Sequence, residues 1–164
     1  MQLQGATMFT KLELLKEYFH IPLALESRPL TTTITPYGLF QYKCLPIGLM
    51  DAASIFQRLV SQTPVGCEGC ISYLEDLLVF GSTAPQHDEG LRAVLQCLSD
   101  KDFCLNIAKC QVMVTDVPLL GHLISSTHIK SDPKSLAAIQ KVLIPQSITN
   151  IRSFPGSISY HHEF

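Results

Sequence analysis

The sequence predicts an α+β fold in which helices cover one face of an antiparallel sheet. Three observations predict it. Two short runs, Ile71-Ser72-Tyr73-Leu74 and Leu77-Leu78-Val79-Phe80, flank the pair Glu75-Asp76. Runs of β-branched, aromatic and aliphatic residues on either side of a polar turn read as a hairpin. A third run, Phe9-Thr10-Lys11-Leu12-Glu13-Leu14-Leu15, has the same character and is interrupted by one carboxylate. Segments of helical period follow the strand runs, so they can cover one face and leave the other to a substrate.

Taken in order, Phe9–Leu15 is the first strand. Asp51 can cap a helix running to about Gln62, with Ile55, Phe56, Leu59 and Val60 on its apolar face. The 71–80 hairpin follows. Thr83-Ala84-Pro85-Gln86 reads as a capping box. The helix it opens carries Leu91, Val94, Leu95 and Leu98 at i, i+3, i+4 and i+7, with Gly90 a mild cost inside it. Asp132-Pro133 reads as a further helix start, ending near Leu143 before Pro145. Ser125-Ser126-Thr127 is the one plausible boundary, and neither an internal repeat nor a low-complexity tract is visible.

Length and charge bound the function. At 164 residues the expectation is one compact domain, and 46% hydrophobic residues can fill a core. A net charge of −2 is not the basic balance of a free-standing nucleic-acid binder, so weak binding at physiological salt is expected. The sequence shows neither a secretory signal nor an apolar stretch near the roughly 20 residues of a spanning helix. Six scattered cysteines fit a reducing compartment, so an intracellular protein without a membrane partner is expected. Cys67-Glu68-Gly69-Cys70 invites a zinc reading, but no second ligand pair follows and His87 and Cys97 are poorly spaced for one. A loop with incidental thiols is the expectation there. His161-His162 reads as an exposed tail, and no Gly-X-Ser-X-Gly elbow supports hydrolase chemistry.

The chemistry lies in the acids. Adjacent carboxylates at a hairpin turn repel each other unless something cationic joins them. Hard oxygen donors gathered at a point suit Mg²⁺, which completes its shell with water and substrate phosphate. Glu13 with Glu75 and Asp76 on a neighbouring strand would make a two-metal site of the kind used in nucleotidyl transfer. Each has a blander reading: a solvated acidic turn for Glu75-Asp76, and an exposed edge-strand residue for Glu13.

The motifs together resemble the palm of a reverse transcriptase, specifically that of a gypsy-type LTR retrotransposon Pol polyprotein. Phe9-Thr10-Lys11-Leu12-Glu13-Leu14 resembles its first catalytic strand. Tyr18-Phe19-His20-Ile21, Arg28 and Thr35-Pro36-Tyr37-Gly38-Leu39-Phe40 follow in family order. Leu45-Pro46-Ile47-Gly48-Leu49 and Ile55-Phe56-Gln57 resemble the loop and helix under the template and incoming nucleotide. Tyr73-Leu74-Glu75-Asp76 resembles the Tyr-X-Asp-Asp hairpin. His87, Leu105-Asn106 and Lys109-Cys110 resemble the next helix and strand, and Leu120-Gly121-His122 the primer-grip hairpin. Asp132-Pro133-Lys134, Pro145 and Arg152-Ser153-Phe154 to Tyr160 resemble the start of the thumb.

The resemblance implies a palm with partial fingers over 1–124 and the start of a connection or thumb over 125–164. It implies RNA-directed DNA polymerase chemistry with Mg²⁺, or Mn²⁺ in its place, held by Glu13, Glu75 and Asp76. Leu14, Tyr18 and Lys109 would contact the nucleotide, Tyr18 on the sugar's 2′ side and Lys109 as proton donor to the leaving group. On residues alone, Tyr18 could equally be a half-buried aromatic and Lys109 a solvated lysine. Pro46, Gly48, Gln57, Tyr73, Leu120, Gly121 and His122 would contact template or primer. The implied partners are an RNA or DNA template-primer, a deoxynucleoside triphosphate, and fingers, thumb or RNase H segments of Pol.

The departures define an alternative, a retrotransposon-derived relic or interaction fragment without catalysis. Glu13 and Glu75 stand where the family has Asp. One added methylene moves a carboxylate by about 1.5 Å, and misplacing a reacting group by about 1 Å can cost on the order of 100-fold. Glu17 stands where the family has a small residue near the triphosphate. Ile47, Ala53 and Pro155 replace the family's Phe, Pro and Leu.

Overall fold

The computed structural model describes residue 3, residues 5–63 and residues 67–133, and the chain divides into two units, Met1–Val114 and Thr115–Phe164. In the first unit, strand β1 (Met8–Glu13) pairs antiparallel with β5 (Asp76–Gly81) and β6 (Gln111–Val114), while β4 (Cys70–Tyr73) closes a hairpin with β5. The sheet order is β4-β5-β1-β6. Because strand side chains alternate, Leu12, Leu77 and Val79 share one face with Leu14. They pack there on Phe56 and Val60 of α1 (Ala52–Gln62) and Val94 and Leu98 of α2 (Ala84–Asp100). Lys11, Glu13 and Asp76 fall on the opposite face. The expected α+β architecture, with helices on one face of an antiparallel sheet, is therefore the observed one.

The helices keep their expected bounds but differ in detail. Thr83 caps α2, accepting from Gln86 N at 3.4 Å, whereas the Gln86 side chain reaches back to Ser82 N at 3.0 Å rather than to the cap residue itself. Asp51 occupies the cap position of α1 without a side-chain cap bond. Leu95 was expected on the buried face of α2, but it is 39% exposed and His87 is buried instead. A period of 3.6 places i+4 farther round the helix than a four-residue stripe suggests. Gly90 is more than a mild cost: a Cβ there would stand 3.2 Å from the Glu68 carbonyl and 3.6 Å from Val79, so the glycine lets α2 approach the sheet.

The β1–β6 pairing is irregular. Phe9 pairs with Val114 and Lys11 with Gln111, which leaves one extra residue on β6. Met113, within the irregularity, takes a left-handed φ of 54°, and its N–H donates to Thr10 Oγ1 at 3.0 Å. A small hairpin, β2 (Thr33–Thr35) with β3 (Gly38–Phe40), lies between β1 and α1 in sequence.

In the second unit, β7 (Asp116–Leu119), β8 (His122–Ser125) and β9 (Ile129–Ser131) form an antiparallel meander. Ser125-Ser126-Thr127 lies in the β8–β9 turn, where Ser125 N donates to His128 O at 2.9 Å. The helix expected from Asp132 to Leu143 lies outside the described residues after Pro133. So do Lys134, Pro145, the 152–160 segment and His161-His162. Among the described residues, no helix is long and apolar enough to cross a membrane.

Candidate active site

The β1–β5 register sets the centre of the site. Glu13 ends β1 and Asp76 begins β5, and the two are direct cross-strand partners. The hairpin that delivers Asp76 turns through Leu74-Glu75, with Tyr73 paired to Asp76. Leu74 sits in the left-handed region at φ 49°, a strained conformation for a branched side chain. Its backbone N–H donates to Gln57 Oε1 at 2.6 Å, while Gln57 Nε2 reaches Ser61 Oγ at 2.8 Å and Ser72 O at 3.4 Å. Gln57, on α1, therefore clamps the turn that positions the acids. Across the turn, Leu14 N donates to Glu75 O at 2.8 Å, locking β1 to it.

Both central carboxylates already hold an ammonium group. Lys11 Nζ lies 2.9 Å from Asp76 Oδ2, and Lys109 Nζ lies 2.6 Å from Glu13 Oε1. The bond to Glu13 raises the Lys109 pKa, and burial opposes it. Strand alternation alone puts Lys11 on the face of Glu13.

Glu17, in the short 3₁₀ turn Glu17–His20, adds a further acid. Partial burial first, then Glu75 and Glu13, hold its carboxyl above the ordinary 4.5, and Lys109 opposes them. Tyr18 packs edge-on against Phe56 with ring centres 5.6 Å apart. Burial, followed by Glu17 and Glu75, raises its phenol.

The other expected residues divide by place. Leu14 is only 3% exposed within the core, so it has backbone rather than side chain to offer a ligand. Pro46 is buried, Gly48 is exposed with φ 98°, and Tyr73 is exposed. Leu120 and Gly121 form the β7–β8 turn, both with positive φ as a two-residue hairpin demands. With His122 they belong to the second unit.

A hard divalent cation needs oxygen donors. Glu13 and Asp76, side by side on one face, have the right chemistry for one such ion. Among the described residues, no three His, Cys, Asp or Glu side chains converge as a ligand set. The pair fits one cation, in competition with Lys11 and Lys109.

Comparison with known proteins bears on this arrangement. The family model described as "Reverse transcriptase (RNA-dependent DNA polymerase)" matches residues 1–124. The chain is 32% identical over 165 residues to the retrovirus-related Pol polyprotein from transposon opus of Drosophila melanogaster, covering 99% of this chain and 16% of that protein. It is 33% identical over 162 residues to the corresponding polyprotein from transposon gypsy of the same organism, covering 97% and 16%. Its fold matches a foamy viral protease-reverse transcriptase solved in complex with double-stranded DNA. The TM-score is 0.89 at 18% identity, covering 94% of this chain and 27% of that one. The chain thus spans about a sixth of the polyproteins it resembles.

Proposed function

The chain belongs to the reverse transcriptase (RNA-dependent DNA polymerase) family, and on that premise we propose that its Glu13–Asp76 pair is a nucleotidyl-transfer centre. It is a segment of an RNA-directed DNA polymerase domain. The family employs a divalent metal, and Mg²⁺ is the ion we assign to the Glu13–Asp76 pair, with Glu75 on the adjoining turn as the third ligand that the resemblance implies. A cation held by these carboxylates would supply Lewis-acid activation of the primer 3′-hydroxyl and charge stabilisation of the leaving pyrophosphate. The partners in this reading are a template-primer of RNA or DNA and a deoxynucleoside triphosphate. Fingers, thumb or RNase H segments of Pol would complete the binding surface.

The observation that carries the reading is the register that sets Glu13 directly opposite Asp76. The roles of this chain's other residues follow from chemistry. Lys109, bonded to Glu13 in the free protein, can turn to the triphosphate and donate its proton to the leaving group. Tyr18 would border the sugar, and Leu14 would offer backbone. Gln57 holds the strained turn so that Asp76 is presented without reorganisation. Pro46, Gly48, Tyr73, Leu120, Gly121 and His122 are assigned to template and primer on the resemblance alone. We read 1–124 as palm with partial fingers and 125–164 as the start of the thumb.

A second reading, the catalytically silent relic, is favoured by a specific observation. The two central acids are engaged by the chain's own lysines, and two of the three implied ligands are glutamates. Primer extension on an RNA template with Mg²⁺ and then Mn²⁺ separates the readings. The nucleotidyl-transfer reading expects extension by the wild-type chain that is lost in Asp76→Ala. Extension only by Glu13→Asp/Glu75→Asp would establish the relic and locate its lesion at the glutamates. Silence from every variant, each folded by circular dichroism, would overturn polymerase activity for this chain.

A further inference from the structure

Away from the carboxylates, three thiols come together. Cys67 follows α1, Cys70 opens β4 and Cys97 lies on α2; all three are free and half-buried. Cys67 Sγ stands 3.6 Å from Cys97 Sγ, though 30 residues separate them. We infer that Cys67 and Cys97 are a redox modification site that closes to a reversible disulfide.

The backbone brings these two sulfurs together. Gly69 has φ 72°, and a Cβ there would lie 2.5 Å from the Phe80 carbonyl, so only glycine fits the turn. Phe80 N donates to Gly69 O at 2.8 Å and pins that turn to β5. Gly90 lets α2 approach the Glu68 carbonyl. Cys97, two helical turns beyond Gly90 at i+7, lies on the same face of α2 and so arrives at Cys67.

The nearer partner in sequence is the weaker candidate. Cys70 Sγ is directed at Ile71 O, 3.8 Å away. Burial, with Cys67 and Cys97 beside it, pushes its thiol up to about 12, so it supplies almost no thiolate. A Cys67–Cys97 bond needs the sulfurs to approach by roughly 1.5 Å, within reach of side-chain rotation. A cleft of about 250 Å³ lined by Cys67, Glu68, Gly69, Gln86 and Glu89 gives a small oxidant access.

The oxidant is a low-molecular-weight disulfide. The Cys67 thiolate attacks one of its sulfurs, forming a mixed disulfide and expelling one thiolate. The Cys97 thiolate then attacks Cys67 Sγ, forming the internal bond and expelling the second small thiol. Two protein thiols are oxidised, one small disulfide is reduced to two thiols, and the protons pass from the cysteines to the leaving thiolates. Burial and the contact with Cys97 raise the Cys67 pKa, so the exchange quickens as pH rises. The closed loop contains the whole β4–β5 hairpin with Glu75 and Asp76, so oxidation would restrain that hairpin.

The test is to incubate the 164-residue chain with glutathione disulfide, block free thiols with N-ethylmaleimide and map non-reduced peptides by mass spectrometry. The expected product is an intramolecular Cys67–Cys97 peptide, about 2 Da lighter than the two thiols and reversed by dithiothreitol. It should persist in Cys70→Ser and vanish in Cys97→Ser. The oxidised chain should melt roughly 5 °C or more higher than the reduced one. A Cys67–Cys70 link, a disulfide between chains, or mixed disulfides confined to the exposed Cys104 would overturn the inference, as would no oxidation.

Discussion

Glu17 shows how the charges at the end of the sheet compete. Asp76 and Glu13 are matched by Lys11 and Lys109, whereas the nearest charges felt by Glu17 are mainly two more carboxylates. A carboxyl whose folded pKa is raised binds its proton more tightly in the folded state. Its favourable contribution is therefore present at low pH and is lost as pH rises from 4.5 through the raised value. Glu17→Gln should raise the melting temperature at pH 7. The gain should correspond to less than about 1 kcal/mol, because solvent screens a partly exposed group. The difference should shrink as pH falls toward 4.5. Thermal melts of both proteins at pH 7 and pH 4 check this, and a lower midpoint for the variant at pH 7 would contradict it. The acids themselves were legible in the sequence, because a carboxylate inside an apolar strand is conspicuous. Their lysine partners were not, because pairing depends on register and side-chain direction rather than on spacing along the chain.

Three elements converge on the hydroxyl of Thr10. It lies 2.8 Å from Nε2 of the buried His87 on α2 and accepts from Met113 N at the β6 bulge. With Met113 donating to it, the hydroxyl proton can serve His87 Nε2, and Nδ1–H then faces Asp88 Oδ1 at 3.4 Å. Thr10→Val keeps the shape and removes both bonds, leaving the buried His87 Nε2 unsatisfied and the N–H of the exposed Met113 without its protein partner. It should cost about 1–3 kcal/mol, read as a lower urea midpoint at unchanged slope; a loss under about 0.5 kcal/mol would show the bonds to be dispensable. Strands β1, β4 and β5 and the Thr83 cap could be read in advance because each leaves a local pattern. The β2–β3 hairpin could not: its strands are three residues each and almost wholly exposed, so burial imposes no alternation on them. The Cys67–Cys97 contact was equally invisible, since tertiary packing through Gly69 and Gly90 creates it.

At the scale of the molecule, electrostatics limit what this chain can bind by itself. It carries 12 Lys and Arg against 14 Asp and Glu, and two of its lysines are already committed to carboxylates. Affinity for nucleic acid comes largely from cations that displace counterions from phosphate, and it falls with salt in proportion to the number of phosphates neutralised. The acidic end of the sheet works against approach of a polyanion, while the same carboxylates favour a divalent ion that would reverse the local sign. The isolated chain should therefore bind a labelled RNA/DNA hybrid weakly at about 150 mM salt, where the screening length is near 8 Å. A plot of log K against log salt should have a slope equivalent to about two phosphates or fewer. Added Mg²⁺ should weaken binding less than its ionic strength predicts, because ions held by Glu13 and Asp76 offset the repulsion. Fluorescence anisotropy across a salt series, with and without Mg²⁺, measures all three quantities. Nanomolar binding at about 150 mM salt would mean that the chain's basic residues form a continuous phosphate-binding track despite its net negative charge.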